Sequence, residues 1–397
     1  MKDRTLLFTA SYPFNEDYAL KYGFDILKRR GFKLRILNLM WFLLPEDAAR
    51  SYSSPEKLGP VCGVEQVVLK SVSEFEEHLK AVEGWKLVVL SSISNMPLLR
   101  ALKRAGVGYV RLFTNLMPPP ITPMSVRLAR VVKKLLLRPD RFLQETVMTR
   151  LPRAWAGIDP PSVVIQGSEA APDDFPPKTV RIQAHSFDYD RYLMNQDGPR
   201  HAQAPAGDYF VHLESPPWEC HDYKVLELKA SVTKEEYACI INPFFDFVER
   251  ETGKKVLISV HPKHTEDENV YGGRPFLYGT ESLVRHSSGV FCHFSGALKF
   301  AVMHRKPICV LSSRRLAGDD YFQTNLKAYM NALKAPVNLI DEDAEWKALS
   351  KIGFFRCDAS AYDNYLRRYI VARPEEKRPL WEIVADALDA ARPGAVA

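Results

Sequence analysis

Short apolar runs alternate with amphipathic stretches along most of the chain. Leu6-Leu7-Phe8-Thr9 is followed by a turn-rich Ser11–Asn15, an amphipathic run to Arg30, Gly31, and then Leu34-Arg35-Ile36-Leu37. A brief apolar run bounded by turn residues predicts a strand, and an amphipathic run stopped by glycine predicts a helix. The same punctuation returns at Leu87–Ser92 (strand), Pro97–Lys103 (helix), the Ala105–Gly108 stop and Tyr109–Phe113 (strand). Ser162–Ile165 and Thr179–Ile182 add two more strands.

A second series begins at Tyr209–Leu213. It continues with a helix over Lys234–Thr252, strands Lys255–Val260 and Gly289–His293, a helix from Ser295 to His304, and a strand Pro307–Leu311. Alternating β and α units of this kind predict parallel sheets covered on both faces. The polar, aperiodic stretch Gln196–Gly207 separates the two series and is expected to be the linker. The fold class is therefore α/β, two Rossmann-like doubly wound domains facing a cleft. The expected domains are 1–195 and 208–360, followed by a helical tail over 361–397 in which Trp381–Ala391 packs back on the first domain.

Composition narrows the possibilities. At 397 residues, 46% hydrophobic and 26% charged, the chain is long enough for more than one core and too ordinary for disorder or a fibrous repeat. The excess of 54 basic over 48 acidic residues is too small for a nucleic-acid coat, so no nucleic-acid partner is expected. The six cysteines are widely spaced, mostly among apolar neighbours and with no C-x-x-C pair, which fits free thiols in a reducing cytoplasm. The opening apolar run is shorter than a secretory core. Ile36–Leu44, the longest such stretch, falls well short of the ~20 residues that cross a bilayer.

In open parallel sheets ligands bind beyond the carboxyl ends of the strands, which singles out residues just after each predicted strand. Val256–Val260 leads into His261-Pro262-Lys263-His264, where Pro262 stops the strand and His261 and Lys263 suit an anion. Val290–His293 leads into Phe294-Ser295-Gly296-Ala297-Leu298, where Ser295 is expected to cap a helix and, with Gly296, to leave backbone N–H groups for a phosphate. No Walker motif and no G-x-G-x-x-G is present, which removes support for P-loop hydrolysis and dinucleotide redox chemistry.

His261-Pro262, Gly279-Thr280-Glu281-Ser282-Leu283, and His293–Leu298 with Lys306-Pro307 downstream resemble the motifs of bacterial GT-B glycosyltransferases that use CMP-activated sugars, the sialyltransferases and the Kdo and nonulosonic acid transferases of capsule and lipopolysaccharide synthesis. The resemblance covers mainly 208–313. It implies a GT-B fold with a C-terminal helical tail, a nucleotide-sugar donor as co-substrate with no further cofactor, and a glycan acceptor. It implies donor-nucleotide roles for His261 and Ser295, and Pro262, Lys263, Thr280 and Gly296, in or beside the same motifs, join them as candidates; Gly296 stands where many relatives have a second Ser or Thr. The Ser295-Gly296 pair with Lys306-Pro307 also resembles nucleotide-sugar 2-epimerases of the same architecture.

Other candidates follow from position. His212 and Glu214, just past the first strand of the second domain, are expected to contact the base or ribose. Glu16 and Asp17, in the first βα loop, and Asp188, in the D-x-D pattern Asp188-Tyr189-Asp190, are candidate catalytic acids or bases, because deprotonating an acceptor hydroxyl needs such a group. Each also has a plain reading, as a first-turn acidic residue beside a helix dipole or an Asx turn. No metal is expected, since donors and dipoles can stabilise the leaving phosphate. Arg127, Arg130, Lys134 and Arg138 form one stripe of an amphipathic helix that can meet an anionic membrane or acceptor, or simply face solvent. The expected activity is transfer of Kdo or another nonulosonic acid from its CMP form to a surface polysaccharide or lipopolysaccharide, in the cytoplasm or at the inner face of the membrane. A UDP-sugar transferase or epimerase, or a noncatalytic glycan- or nucleotide-binding protein, are the alternatives.

Overall fold

A computed structural model describes residues 4–44, 46–53, 57–90, 95–120, 157–218, 223, 228–260 and 269–391. The described residues fall into two compact units, one drawn from Met1–Leu116, Pro123–Phe187 and Val371–Ala397, the other from Met117–Thr122 and Asp188–Ile370.

The first unit is built on a seven-stranded sheet in the order β3-β2-β1-β4-β5-β6-β7. The strands are β1 Arg4–Ala10, β2 Lys33–Asn38, β3 Gln66–Val68, β4 Trp85–Leu90, β5 Gly108–Phe113, β6 Val163–Gln166 and β7 Val180–Gln183. All pairs are parallel; Phe8 of β1 stands opposite Ile36 on one side and Val89 on the other. β1 is buried from Thr5 to Ala10, as a central parallel strand must be when helices cover both faces. Leu6 and Phe8 join one core with Phe14, Phe24 and Trp381, while Leu7 joins the opposite one with Phe75, Leu79, Leu98 and Leu102.

The amphipathic run after β1 forms two helices rather than one, Glu16–Lys21 and Phe24–Arg29. Gly23 lies between them at φ +58°, in the left-handed region, and a Cβ there would stand 2.6 Å from Trp381 Cβ. Glycine thus answers both to the backbone turn and to the close approach of the helix Leu380–Ala390. That helix packs on the first unit through Trp381, whose indole N–H donates to the Lys21 carbonyl at 3.0 Å.

The second unit carries a six-stranded parallel sheet in the order β10-β9-β8-β11-β12-β13. Its strands are β8 Tyr209–Leu213, β9 Lys255–Ser259, β10 Phe276–Leu277, β11 Gly289–Cys292, β12 Ile308–Ser312 and β13 Val337–Leu339. The helix Lys234–Thr252 opens on a capping box between Thr233 and Glu236 and ends at Gly253 in the left-handed region.

Four features differ from the sequence reading. The stretch 196–207 lies within the second unit, because the chain changes unit at Phe187 and the helix Phe187–Asn195 belongs almost wholly to the second unit. The tail is divided: Ala359–Tyr365 belongs to the second unit and Leu380–Ala390 to the first, as their apolar faces are buried in different cores. The helix placed at Ser295–His304 spans only Leu298–Met303, because Ser295–Leu298 closes a tight turn first, the Leu298 amide donating to the Ser295 carbonyl at 3.1 Å. Cys62, Cys239, Cys292, Cys309 and Cys357 are free thiols; Cys292 and Cys309 are buried and the other three are exposed rather than set in apolar surroundings. Among the described residues no helix is long and apolar enough to cross a membrane.

Candidate functional site

Because every pair in the second sheet is parallel, the carboxyl ends of its strands share one edge, and polar side chains gather there. Glu214 follows β8 and is almost fully buried, with its amide donating to the Ser259 carbonyl at 3.1 Å. Ser215 Oγ donates to the Phe294 carbonyl at 2.7 Å, tying the loop after β8 to the loop after β11. At the end of β9, Ser259 Oγ donates to Thr280 Oγ1 at 2.8 Å, which leaves the Thr280 hydroxyl its own proton to donate. Beyond β11, Ser295 Oγ accepts from the Ala297 amide at 3.2 Å, so the hydroxyl proton of Ser295 points elsewhere. A Cβ on Gly296 would meet only Met117 Sδ, at 3.6 Å, so the protein's own packing does not demand glycine at that turn.

Behind this edge lies a buried polar cluster, of which the sequence reading named His212 and Glu214 but not the pairing of His293 with Tyr237. His293, the residue after β11, accepts at Nε2 from the Tyr237 hydroxyl at 2.6 Å, and its Nδ1–H donates to the Leu311 carbonyl at 2.8 Å. Burial pushes the His293 imidazole down to about 4, against the partly offsetting pull of the Leu311 carbonyl. His212 is displaced well below the ordinary histidine range, by burial first and by the neighbouring His293 second. Burial drives Tyr237 and Tyr271 upward, and the Glu214 carboxylate adds to both. Both imidazoles are therefore neutral, and both phenols protonated, at neutral pH.

The sequence candidates are distributed unevenly. Thr280, Ser295, Gly296 and Glu214 lie together at the carboxyl edge. His212 does not lie past its strand: it is inside β8, fully buried against Phe245 and Tyr271, because its alternation along the strand turns it into the sheet's aromatic layer. Glu16 and Asp17 are exposed in the first turn of Glu16–Lys21, where the side chain of Asn15 caps the helix by accepting from the Tyr18 amide. Asp188 lies in the first turn of Phe187–Asn195, with Oδ2 3.2 Å from the ammonium of fully buried Lys299. His261, Pro262, Lys263, Arg127, Arg130, Lys134 and Arg138 lie outside the described residues.

The Asp188–Lys299 pair yields a prediction. Replacing Asp188 by asparagine weakens a charge-assisted hydrogen bond to a buried cation, so Asp188→Asn is expected to lower stability by about 1–3 kcal/mol in urea denaturation. If Asp188 were the general base, turnover would instead fall by roughly 10²–10⁴ with stability little changed.

The sequence matches no protein-family model and no curated protein. Solved structures are similar in fold. The chain aligns over 98% of its length with 98% of the glycotransferase of kitacinnamycin, at 13% identity and a TM-score of 0.50. It aligns over 99% with 96% of CalG4, the calicheamicin glycosyltransferase, at 12% identity and a TM-score of 0.51. It aligns over 98% with 88% of the wall teichoic acid polymerase TagF, at 12% identity and a TM-score of 0.50. With its two parallel sheets and C-terminal helices, the chain has the GT-B fold of these glycosyltransferases.

Proposed function

We propose that the protein is a glycosyltransferase that takes a nucleotide-activated sugar at the carboxyl edge of the second sheet. The observation that carries this reading is the meeting of Ser295-Gly296, Thr280 and Glu214 at that edge, in a chain whose fold runs the length of glycosyltransferase structures. The Ser295 and Thr280 hydroxyls and the amides of Ser295 and Gly296 would hold the phosphate, with His261 and Lys263, which follow β9 in the sequence, as further candidates. Donors fixed in place before the reaction stabilise charge as the nucleotide leaves, with no metal required. Glu16 and Asp17, both exposed, are the candidates for deprotonating the acceptor hydroxyl. Asp188, engaged by Lys299, is the weakest of the three acidic candidates.

The donor is a CMP-activated sugar, Kdo or another nonulosonic acid, and the acceptor a surface polysaccharide or lipopolysaccharide met on the cytoplasmic face of an anionic membrane through the basic residues Arg127, Arg130, Lys134 and Arg138. The motifs around His261 and Ser295 support the donor, and the likeness to a wall teichoic acid polymerase is in keeping with a surface-polymer acceptor. A thermal-shift panel of CMP, UDP, GDP and ADP tests the donor class. CMP at about 100 times its Kd is expected to add about 2.7 kcal/mol, with CMP release in the presence of acceptor and a chelator. A shift for UDP alone would move the donor to the UDP-sugars; no shift for any of the four would remove the reading.

A further inference from the structure

We propose that His293 and Tyr237 are positioning residues that set the 294–297 turn for the donor's phosphate; this rests on the reading of that turn as the phosphate site. His293 is the joint between β11 and the turn. Its ring is fixed from both sides, by the Tyr237 hydroxyl 2.6 Å from Nε2 and the Leu311 carbonyl 2.8 Å from Nδ1. Tyr237 belongs to the helix Lys234–Thr252 and Leu311 to β12, so one imidazole ties two separate elements to the residue that precedes the turn.

The pairing also fixes a tautomer. Leu311 offers only an acceptor, so Nδ1 carries the proton and Nε2 must accept, which the phenol satisfies. Such a ring cannot rotate without losing both bonds in a site closed to water, where a lost partner is not replaced. The next residue, Phe294, is held at its carbonyl by Ser215 Oγ and at its ring by Phe322, 5.3 Å away. The backbone is therefore pinned at two successive positions immediately before Ser295, and the amides of the 295–297 turn inherit their direction from that pinning. Neither His293 nor Tyr237 reaches the ligand; both are fully buried. Their contribution is to affinity for the phosphate, through the orientation of groups that do reach it.

The test is a titration by calorimetry, well below the melting transition, with whichever of CMP, UDP, GDP or ADP raises the melting midpoint of the wild-type protein. Tyr237→Phe is expected to bind about 10-fold more weakly or worse while unfolding cooperatively. His293→Gln, which keeps an acceptor for the phenol, is expected to remain within about 3-fold of wild type, whereas His293→Leu falls with Tyr237→Phe. Ser295→Ala, the reference for the turn itself, is expected to weaken binding as well. If Ser295→Ala weakens binding but Tyr237→Phe and His293→Leu bind like wild type, the positioning role is overturned and the phosphate site stands. If Ser295→Ala binds like wild type too, the phosphate site itself is wrong. Should Tyr237→Phe fail to fold, the His293→Gln and His293→Leu pair decides: equal affinities overturn the proposal, and rescue by glutamine supports it.

Discussion

Between pH 7 and pH 5 the protein is expected to lose about 2 kcal/mol of stability through His293 alone, a buried imidazole that gains its proton only on unfolding, and His212 adds to the loss in the same direction. Burial holds His293 down to about 4, against an ordinary value of 6.5, and holds His212 well below 6.5. Below pH 6.5 the unfolded chain binds a proton at each position while the folded chain does not, so stability falls as pH falls. The slope is roughly 1.4 kcal/mol per pH unit for each imidazole, and the loss ends only as pH passes the folded values. The stability concerned is thus fully present above pH 6.5 and is removed progressively toward pH 4. His78 and His286, lowered by burial but less enclosed, act in the same direction. Urea midpoints measured from pH 7.5 to 5 check this, and His212→Phe should make the slope shallower. A midpoint unchanged down to pH 5 would mean that the two rings are hydrated rather than sealed.

Trp381→Ala is expected to destabilise the first unit by about 3–5 kcal/mol, the range for removing a large buried aromatic side chain. The indole lies against Phe8, with ring centres 5.7 Å apart, and against Tyr22 at 6.0 Å, and its N–H satisfies the Lys21 carbonyl. Removal therefore opens a cavity in the core that also holds Leu6, Leu87 and Val89, and strips a partner from a backbone carbonyl. Trp381→Phe should recover part of the loss by refilling volume without the hydrogen bond. Denaturation monitored by circular dichroism separates the cases; a loss under about 1 kcal/mol for the alanine variant would show that Leu380–Ala390 is not integral to that core.

The central strands were legible because they are buried on both faces. Leu6–Thr9, Leu87–Leu90, Tyr209–Leu213 and Lys255–Ser259 read as near-continuous apolar runs, and each lies in one of the observed strands. Lys234–Thr252 was legible as a helix despite Pro243 within it, and the structure shows it opened by the Thr233–Glu236 capping box and closed by Gly253. β3, β10 and β13 were not, since two or three residues cannot establish an alternation. The break at Gly23 was hidden because its cause, Trp381, lies at the other end of the chain. Of the proposed site, Glu214, Ser295 and Gly296 were candidates by their position just beyond predicted strands, and Thr280 through the motif Gly279–Leu283. The His293–Tyr237 pair could not, for its members are 56 residues apart and Tyr237 reads as one apolar position of a helix. His212 was misplaced because it is the fourth of the five residues of β8, two before the loop that opens at Glu214.

At the centre of the proposed function is a donor nucleotide held beyond the carboxyl ends of β8, β9 and β11. Hydrogen–deuterium exchange with and without a saturating nucleotide locates that contact directly. Slowed exchange is expected at the amides of 293–298, 278–281 and 214–218, with those of 11–17 unaffected by nucleotide alone. Protection centred on 11–17 or on the opposite edge of the second sheet, with 293–298 exchanging as in the free protein, would contradict it.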